Sequence, residues 1–243
     1  MLEVLLSVLY PPTCALCRRE LRRARANGLC GACESRLEAA RPGCPRCAEP
    51  SASRVCKRCR AAPPAFSSVA ACLAYRTEDP DCAVRRAVAR WKYDGDLAVG
   101  RALARTFGAW CALRDGAFDA VVPVPLERAR LAARGFNQAA VLAYAAARAR
   151  RSTVVHGLRR RAFEESQTAL GRGARRENVA GRFAVGRRAP VAGLALVLVD
   201  DVLTTGATAD ECAGALLAAG ARSVAVWTLA RAGQFFAEER PLP

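Results

Sequence analysis

Between residues 67 and 233 the chain alternates between two hydrophobic periods. "SSVAACLAY" (67–75) alternates as a half-buried strand does, whereas "DCAVRRAVARWKY" (81–93) and "LAVGRALARTFGAWCAL" (97–113) repeat their apolar positions at helical spacing. "FDAVVPVP" (118–125) is a short apolar run stopped by prolines, which predicts a buried strand. A helix over "NQAAVLAYAAARARR" (137–151) and a short "STVV" strand (152–155) follow. After an irregular Arg/Gly-rich stretch, "LALVLV" (194–199), a helix from about Ala207 and "SVAVWTLA" (223–230) complete a βαβ unit. Strands alternating with helices in this way predict an α/β fold, its mainly parallel sheet covered on both faces. Ligands of such sheets bind at the carboxyl ends of the strands.

Residues 1–62 lack that pattern and carry a different one. Eight of the chain's 12 cysteines lie there as Cys14-x-x-Cys17, Cys30-x-x-Cys33, Cys44-x-x-Cys47 and Cys56-x-x-Cys59. Each Cys-x-x-Cys turn aims two thiolates at one centre, and two turns complete the tetrahedral shell that zinc accepts, so four turns predict two zinc ions. Sequential pairing is the simplest arrangement, and an interleaved cross-brace is the alternative. With few large apolar residues nearby, metal binding, worth about 10–16 kcal/mol in small zinc modules, supplies most of the folding free energy. Eight protein ligands for two ions leave no open position, which makes the zinc structural. "AAPPAF" (61–66) reads as a linker, so the expected division is 1–62, 67–233 and a C-terminal tail, 234–243.

The N-terminal "MLEVLLSVLY" is apolar for only about ten residues, short of the roughly 20 needed to span a bilayer, and is read as a short amphipathic helix docked on the protein. No secretory signal pattern precedes the cysteines, so the expected compartment is the reducing cytoplasm, where paired cysteines hold metal. The formal charge of +16 would by itself suggest a polyanionic partner. The excess is almost all arginine, with Lys57 and Lys92 the only lysines, in an Ala-rich chain. That composition matches the coding bias of a GC-rich genome, and a solvated Arg surface is the simpler reading.

The chemistry concentrates in "LALVLVDDVLTTGATADECAGALLAAG" (194–220). The apolar run delivers the chain to the edge of the sheet, Asp200 and Asp201 stand at its lip, and "LTTGAT" turns into a helix. First-turn amides and the helix dipole favour a phosphate there, Gly206 lets the backbone close around it, and Thr204, Thr205 and Thr208 add hydroxyl donors. Two carboxylates suit a vicinal diol. Together they describe a site for a ribose 5-phosphate. The segment lacks the Lys and glycine spacing of a P-loop and has no G-x-G-x-x-G.

"VLVDDVLTTGAT" resembles the phosphoribosyl-pyrophosphate (PRPP) signature of type I phosphoribosyltransferases. With the four Cys-x-x-Cys pairs, "WKYDG" (91–95), "VPVPL" (122–126), "RGFNQ" (134–138) and "RRENVAGRFAV" (175–185), the chain resembles the ComF family over nearly its whole length. That resemblance implies a double zinc ribbon joined to a Rossmann-like type I phosphoribosyltransferase domain. It also implies Asp200 and Asp201 on the ribose hydroxyls of PRPP, and Thr204, Thr205, Gly206, Ala207 and Thr208 on its 5-phosphate. Arg130 and Arg134 become candidate pyrophosphate ligands, and Mg²⁺ would accompany PRPP. One departure is that Glu164-Glu165-Ser166-Gln167 stands where relatives commonly show Thr-x-x-Gln.

Displacing pyrophosphate passes through a sugar with oxocarbenium character, so the implied catalysis is electrostatic and needs no enzymic nucleophile. The single histidine, His156, is accordingly read as structural. Cys72, Cys82, Cys111 and Cys212, with Trp91, Trp110 and Trp227, are read as core, Trp91 with Lys92 and Tyr93 close to the site. The irregular segment from about Arg159 to Asn178 is the lid candidate. Two functions follow: a Mg²⁺-dependent phosphoribosyltransferase with an unspecified acceptor, or a non-catalytic module associated with single-stranded DNA and DNA-uptake proteins, as the family's link to competence suggests.

Overall fold

The computed structural model describes residues 11–21, 25, 27–49, 51, 53–161 and 181–233. The N-terminal decapeptide, most of the lid candidate including Gln167, and the C-terminal tail lie outside them. In chain order the described elements are α1 (Gly31–Glu34), α2 (Lys57–Ala61), β1 (Ser68–Arg76), α3 (Ala83–Tyr93), α4 (Leu97–Ala112), β2 (Ala120–Pro123) and α5 (Arg128–Arg134). There follow α6 (Gln138–Arg150), β3 (Thr153–Val154), β4 (Leu158–Arg160), β5 (Phe183–Val185), β6 (Ala195–Leu203), α7 (Ala207–Ala218) and β7 (Ser223–Gly233).

Five strands form one wholly parallel sheet in the order β1-β7-β6-β2-β3, and β4 and β5 pair antiparallel beside it. Strand alternation sends Val197 and Val199 of β6 to one face, where Ala87 and Trp91 of α3, Leu103 and Phe107 of α4, and Leu142 and Ala146 of α6 pack. Leu196 and Leu198 go to the other face, against Cys212, Ala213 and Leu216 of α7. Both faces are therefore covered, as the periodicity predicts. Close packing shows at Gly100, where a Cβ would overlap the Trp91 indole. Cys72, Cys82, Cys111, Cys212, Trp91 and Trp227 are all buried, and Trp110 stacks on Phe107 and meets Trp227 edge-on.

The order contains one reversal. From β2 the chain steps outward to β3, and from β6 it steps the opposite way to β7. The carboxyl ends of β2 and β6 thus flank a topological switch point, where the two connections part and where open α/β sheets commonly bind their ligands.

Two corrections to the sequence reading bear on the site. The strand read as "LALVLV" continues to Leu203, because β7 partners it as far as Leu203↔Arg231. Asp200 and Asp201 therefore lie within β6 rather than after it. On the other side β2 stops at Pro123↔Val199, so residues 200–203 run past the end of β2 and leave that edge open. The stretch read as a linker is anchored: Phe66 is buried, and the Ala65 amide donates to Asp210 of α7 (2.6 Å).

Candidate functional site

At the switch point, strand geometry divides the acidic pair. Successive side chains of a strand face opposite ways, so Asp200 and Asp201 do not share one direction. Asp201 turns to the α3 face and meets Lys92 Nζ, 2.8 Å from each carboxylate oxygen. Asp200 turns toward α7, where its charge, with that of Glu211, adds to burial in raising the Cys212 pKa. One oxygen of Asp200 accepts from the Asp201 amide at 2.8 Å. The expectation that both carboxylates take a diol is thereby narrowed. Lys92 engages Asp201, and Asp200 is the freer acceptor.

Burial first, and then the Asp201 charge, raise the Asp200 pKa from 3.8 to about 7, against the opposing pull of the Asp201 amide and Lys92. The folded state thus holds a proton that the unfolded chain releases. This contribution to stability is complete below the unfolded pKa and is lost as pH rises through about 7. Asp200→Asn is expected to raise the melting temperature by a few degrees at pH 8, with the gain shrinking toward pH 5. Thermal melts at the two pH values check this, and an equal gain at both would contradict it.

Beyond Leu203 the chain makes the turn. Thr204, Thr205, Ala207 and Thr208 are exposed among the described residues. Gly206 holds a left-handed conformation (φ 83°) that a side chain would strain, and it caps α7. The Thr205 hydroxyl accepts from the Ala207 amide (3.3 Å). At the base of the loop Arg182, from the "NVAGRF" motif, pairs with Glu211 of α7.

The motifs scattered along the sequence meet here. Trp91 of "WKYDG" stacks on Phe136 of "RGFNQ" (centroids 6.1 Å apart), and Arg134 of the second motif lies over the Tyr93 ring of the first at 5.4 Å. Between Trp91 and Tyr93, Lys92 reaches Asp201. Arg134 also lies 3.4 Å from the Gln138 side-chain oxygen, and it is joined to the motif that carries Lys92 through the Tyr93 ring. Arg130 does not join them: it is exposed on α5 and faces Glu127 (3.5 Å), whose carboxylate lies 3.9 Å from Arg160. His156 is bonded to the Tyr144 hydroxyl at 2.8 Å.

The eight cysteines form two clusters, Cys14/Cys17/Cys30/Cys33 and Cys44/Cys47/Cys56/Cys59, in each of which all sulfurs lie within 4.8 Å of one another. The pairing is sequential. Sulfur separations of 3.7 Å (Cys17–Cys30) and 3.6 Å (Cys47–Cys56) match the edge of about 3.8 Å that a tetrahedron with 2.3 Å Zn–S bonds requires. They are far too long for disulfides. The residues fit zinc. Burial opposes ionisation of Cys14 and Cys44, but backbone amides outweigh it and lower both to about 6. Burial and the neighbouring thiols push Cys33, Cys47 and Cys59 the other way, so one thiolate in each cluster is favoured without metal and the others need the cation.

Each cluster is docked by a guanidinium. Arg90 donates to the Leu16 (2.8 Å) and Ala15 (3.2 Å) carbonyls of the first and pairs with Asp96 (2.6 Å). Arg231 of β7, buried, donates to the Cys47 (3.3 Å) and Leu203 (3.2 Å) carbonyls and pairs with Glu49. The second cluster also reaches the 204–208 turn, where Arg58 donates to the Thr205 carbonyl at 3.1 Å. Sequence reading did not find Lys92–Asp201, Arg58–Thr205 or Arg231–Cys47, since each joins residues more than 100 positions apart.

A double zinc ribbon domain model matches residues 5–61. DNA utilization protein YhgH of Salmonella typhimurium is 33% identical over 232 residues, covering 91% of this chain and 97% of that protein. Competence protein F of Haemophilus influenzae is 28% identical over 232 residues, covering 90% and 96%. Among solved structures, glutamine PRPP amidotransferase from B. subtilis with ADP and GMP is similar at TM-score 0.39 and 22% identity, over 52% of this chain and 26% of that one.

Proposed function

The chain belongs to the ComF family, and from that premise we propose that it binds PRPP at residues 200–208 and transfers its phosphoribosyl group within a DNA-utilization or competence role. One observation carries the reading: an exposed Thr/Gly turn opens α7 at the end of β6, the strand that carries Asp200, at the open edge of the switch point. Turn amides and the Thr204, Thr205 and Thr208 hydroxyls suit the 5-phosphate. Asp200 accepts from a ribose hydroxyl, Lys92 balances and orients Asp201, and Arg134, which lies over the ring of Tyr93 next to Lys92 in sequence, is the cation we assign to the charge growing on the leaving pyrophosphate. The carboxylate oxygens suit a hard cation, with Asp200 the carboxylate that Lys92 leaves unpaired; Mg²⁺ there would neutralise pyrophosphate charge.

Calorimetry with PRPP and Mg²⁺ tests this. Asp200→Ala combined with Asp201→Ala is expected to weaken binding about 10- to 100-fold, the loss of the charge-assisted contact from Asp200 together with the carboxylate that Lys92 orients. Equal affinity would remove the site. Wild-type affinity is expected to rise between pH 6 and 8 as Asp200 releases its proton. Pyrophosphate release in a screen of bases and nucleosides identifies the acceptor.

A second reading, a single-stranded DNA surface, is favoured by a separate groove of about 1310 Å³ between α4, α6 and the first zinc cluster. Arg101, Arg105 and Arg148 line it beside Tyr144, whose ring is 58% exposed and available for base stacking. Binding measured across a salt series distinguishes it: a slope near zero argues against phosphate contacts, and a steep slope reduced in Arg105→Ala/Arg148→Ala supports the groove.

A further inference from the structure

The second zinc cluster touches the turn assigned above to the sugar phosphate. α2 begins directly after Cys56 and contains Cys59, so two metal ligands fix the backbone of Arg58. Arg58 thus stands between two members of the cluster, Cys56 and Cys59, on a helix of five residues. Four thiolates around one Zn²⁺ carry a net charge of about −2, which holds the guanidinium at the cluster's edge. From there one nitrogen reaches 3.1 Å to the Thr205 carbonyl.

We propose that Arg58 is a positioning residue that couples zinc occupancy of the Cys44/Cys47/Cys56/Cys59 site to anion binding at the 204–208 turn. Across a trans peptide the carbonyl and the amide hydrogen point opposite ways. Gripping the Thr205 carbonyl from the zinc side therefore turns the Gly206 amide away from the zinc cluster, and fixes a peptide whose next residue is held at φ 83°. Phe66, 3.9 Å from where a Gly206 Cβ would lie, and Ala65, bonded to Asp210, brace the same turn from the chain leaving α2. Loss of zinc removes the anchor of Arg58, and the turn then selects its conformation unaided. Coupling is reciprocal, so an anion on the turn must retain the zinc by the same factor that zinc improves anion binding. The first cluster, docked through Arg90 on α3, has no such contact among the described residues.

The link itself rests on the Arg58 contact, and its reading as anion coupling rests on the sugar-phosphate assignment; two measurements on the full zinc-loaded chain separate them. Hydrogen exchange of the 204–209 amides, without ligand, is expected to be about tenfold faster in Arg58→Ala than in wild type, with Lys57→Ala on the same helix as an unchanged control. Chelator-driven zinc release is the second. Saturating ribose 5-phosphate is expected to slow release of one of the two ions about five- to 20-fold in wild type and not in Arg58→Ala. Unchanged exchange in Arg58→Ala overturns the link. Faster exchange with zinc release indifferent to ribose 5-phosphate overturns the anion coupling and counts against the sugar-phosphate reading, while the mechanical contact stands.

Discussion

Cys44→Ser is expected to lower the zinc content from two ions per chain to one and to release residues 44–61 from the sheet while the remainder stays folded. The reason lies in what each cluster packs against. Around the second, the buried apolar residues among those described are its own four cysteines, with Val55 packed against them. Such a segment buries far too little surface to offset the entropy of ordering its backbone, about 1–2 kcal/mol per residue, so the metal supplies the difference. The first cluster differs. Leu21, Leu29 and Leu37 run into the same core as α3 and α4, so Cys14→Ser is expected to destabilise the whole chain as well as lose an ion. Metal analysis with limited proteolysis reads both variants. Two zinc ions retained in Cys44→Ser, or no new cleavage within 44–61, would show that the second cluster does not depend on its metal.

Local regularities were legible in the sequence; long-range partnerships were not. Four identical Cys spacings announce two metal sites, and periods of 2 and 3.6 place the main strands and helices, because both depend on neighbours within a few residues. The small β4/β5 hairpin gave no such signal. β4 has three residues, one of them buried, and its partner lies 23 or more positions downstream. The length of β6 was misread for a related reason: two consecutive aspartates look like the end of a strand, but Thr228 of β7 pairs with Asp200 and Ala230 and Arg231 continue to pair beyond the two acids. Once the acids lie inside a strand, alternation separates them, and the partner of Asp201 has to come from the α3 face. Lys92 was noticed as a neighbour of Trp91, yet its carboxylate, 109 positions away, is found only through the fold.

Arg231 is where that difficulty has the largest energetic consequence. Its position in an apolar strand gives no hint of a ligand-like role, yet its guanidinium is buried and joins the second zinc cluster to the ends of β6 and β7. Burial lowers its pKa, and Glu49 and Cys47 offset only part of that cost. A buried charge is retained only if its partners are complete, and removing one member leaves the others desolvated without a counterpart. Arg231→Ala is therefore expected to destabilise the protein by about 3–5 kcal/mol, leaving the Cys47 and Leu203 carbonyls without their donor. Arg231→Met, which restores the apolar volume, should recover part of that loss because packing is repaired while the carbonyls stay unpaired. Arg222→Ala supplies the contrast. Its pair with Asp119 is solvent-exposed, and the expected change is below about 1 kcal/mol and vanishes in high salt. Denaturant unfolding of the three variants with zinc bound measures the differences. An Arg231→Ala cost no larger than that of Arg222→Ala would mean that the second cluster is held to the sheet by its other contacts, with the buried guanidinium a passenger.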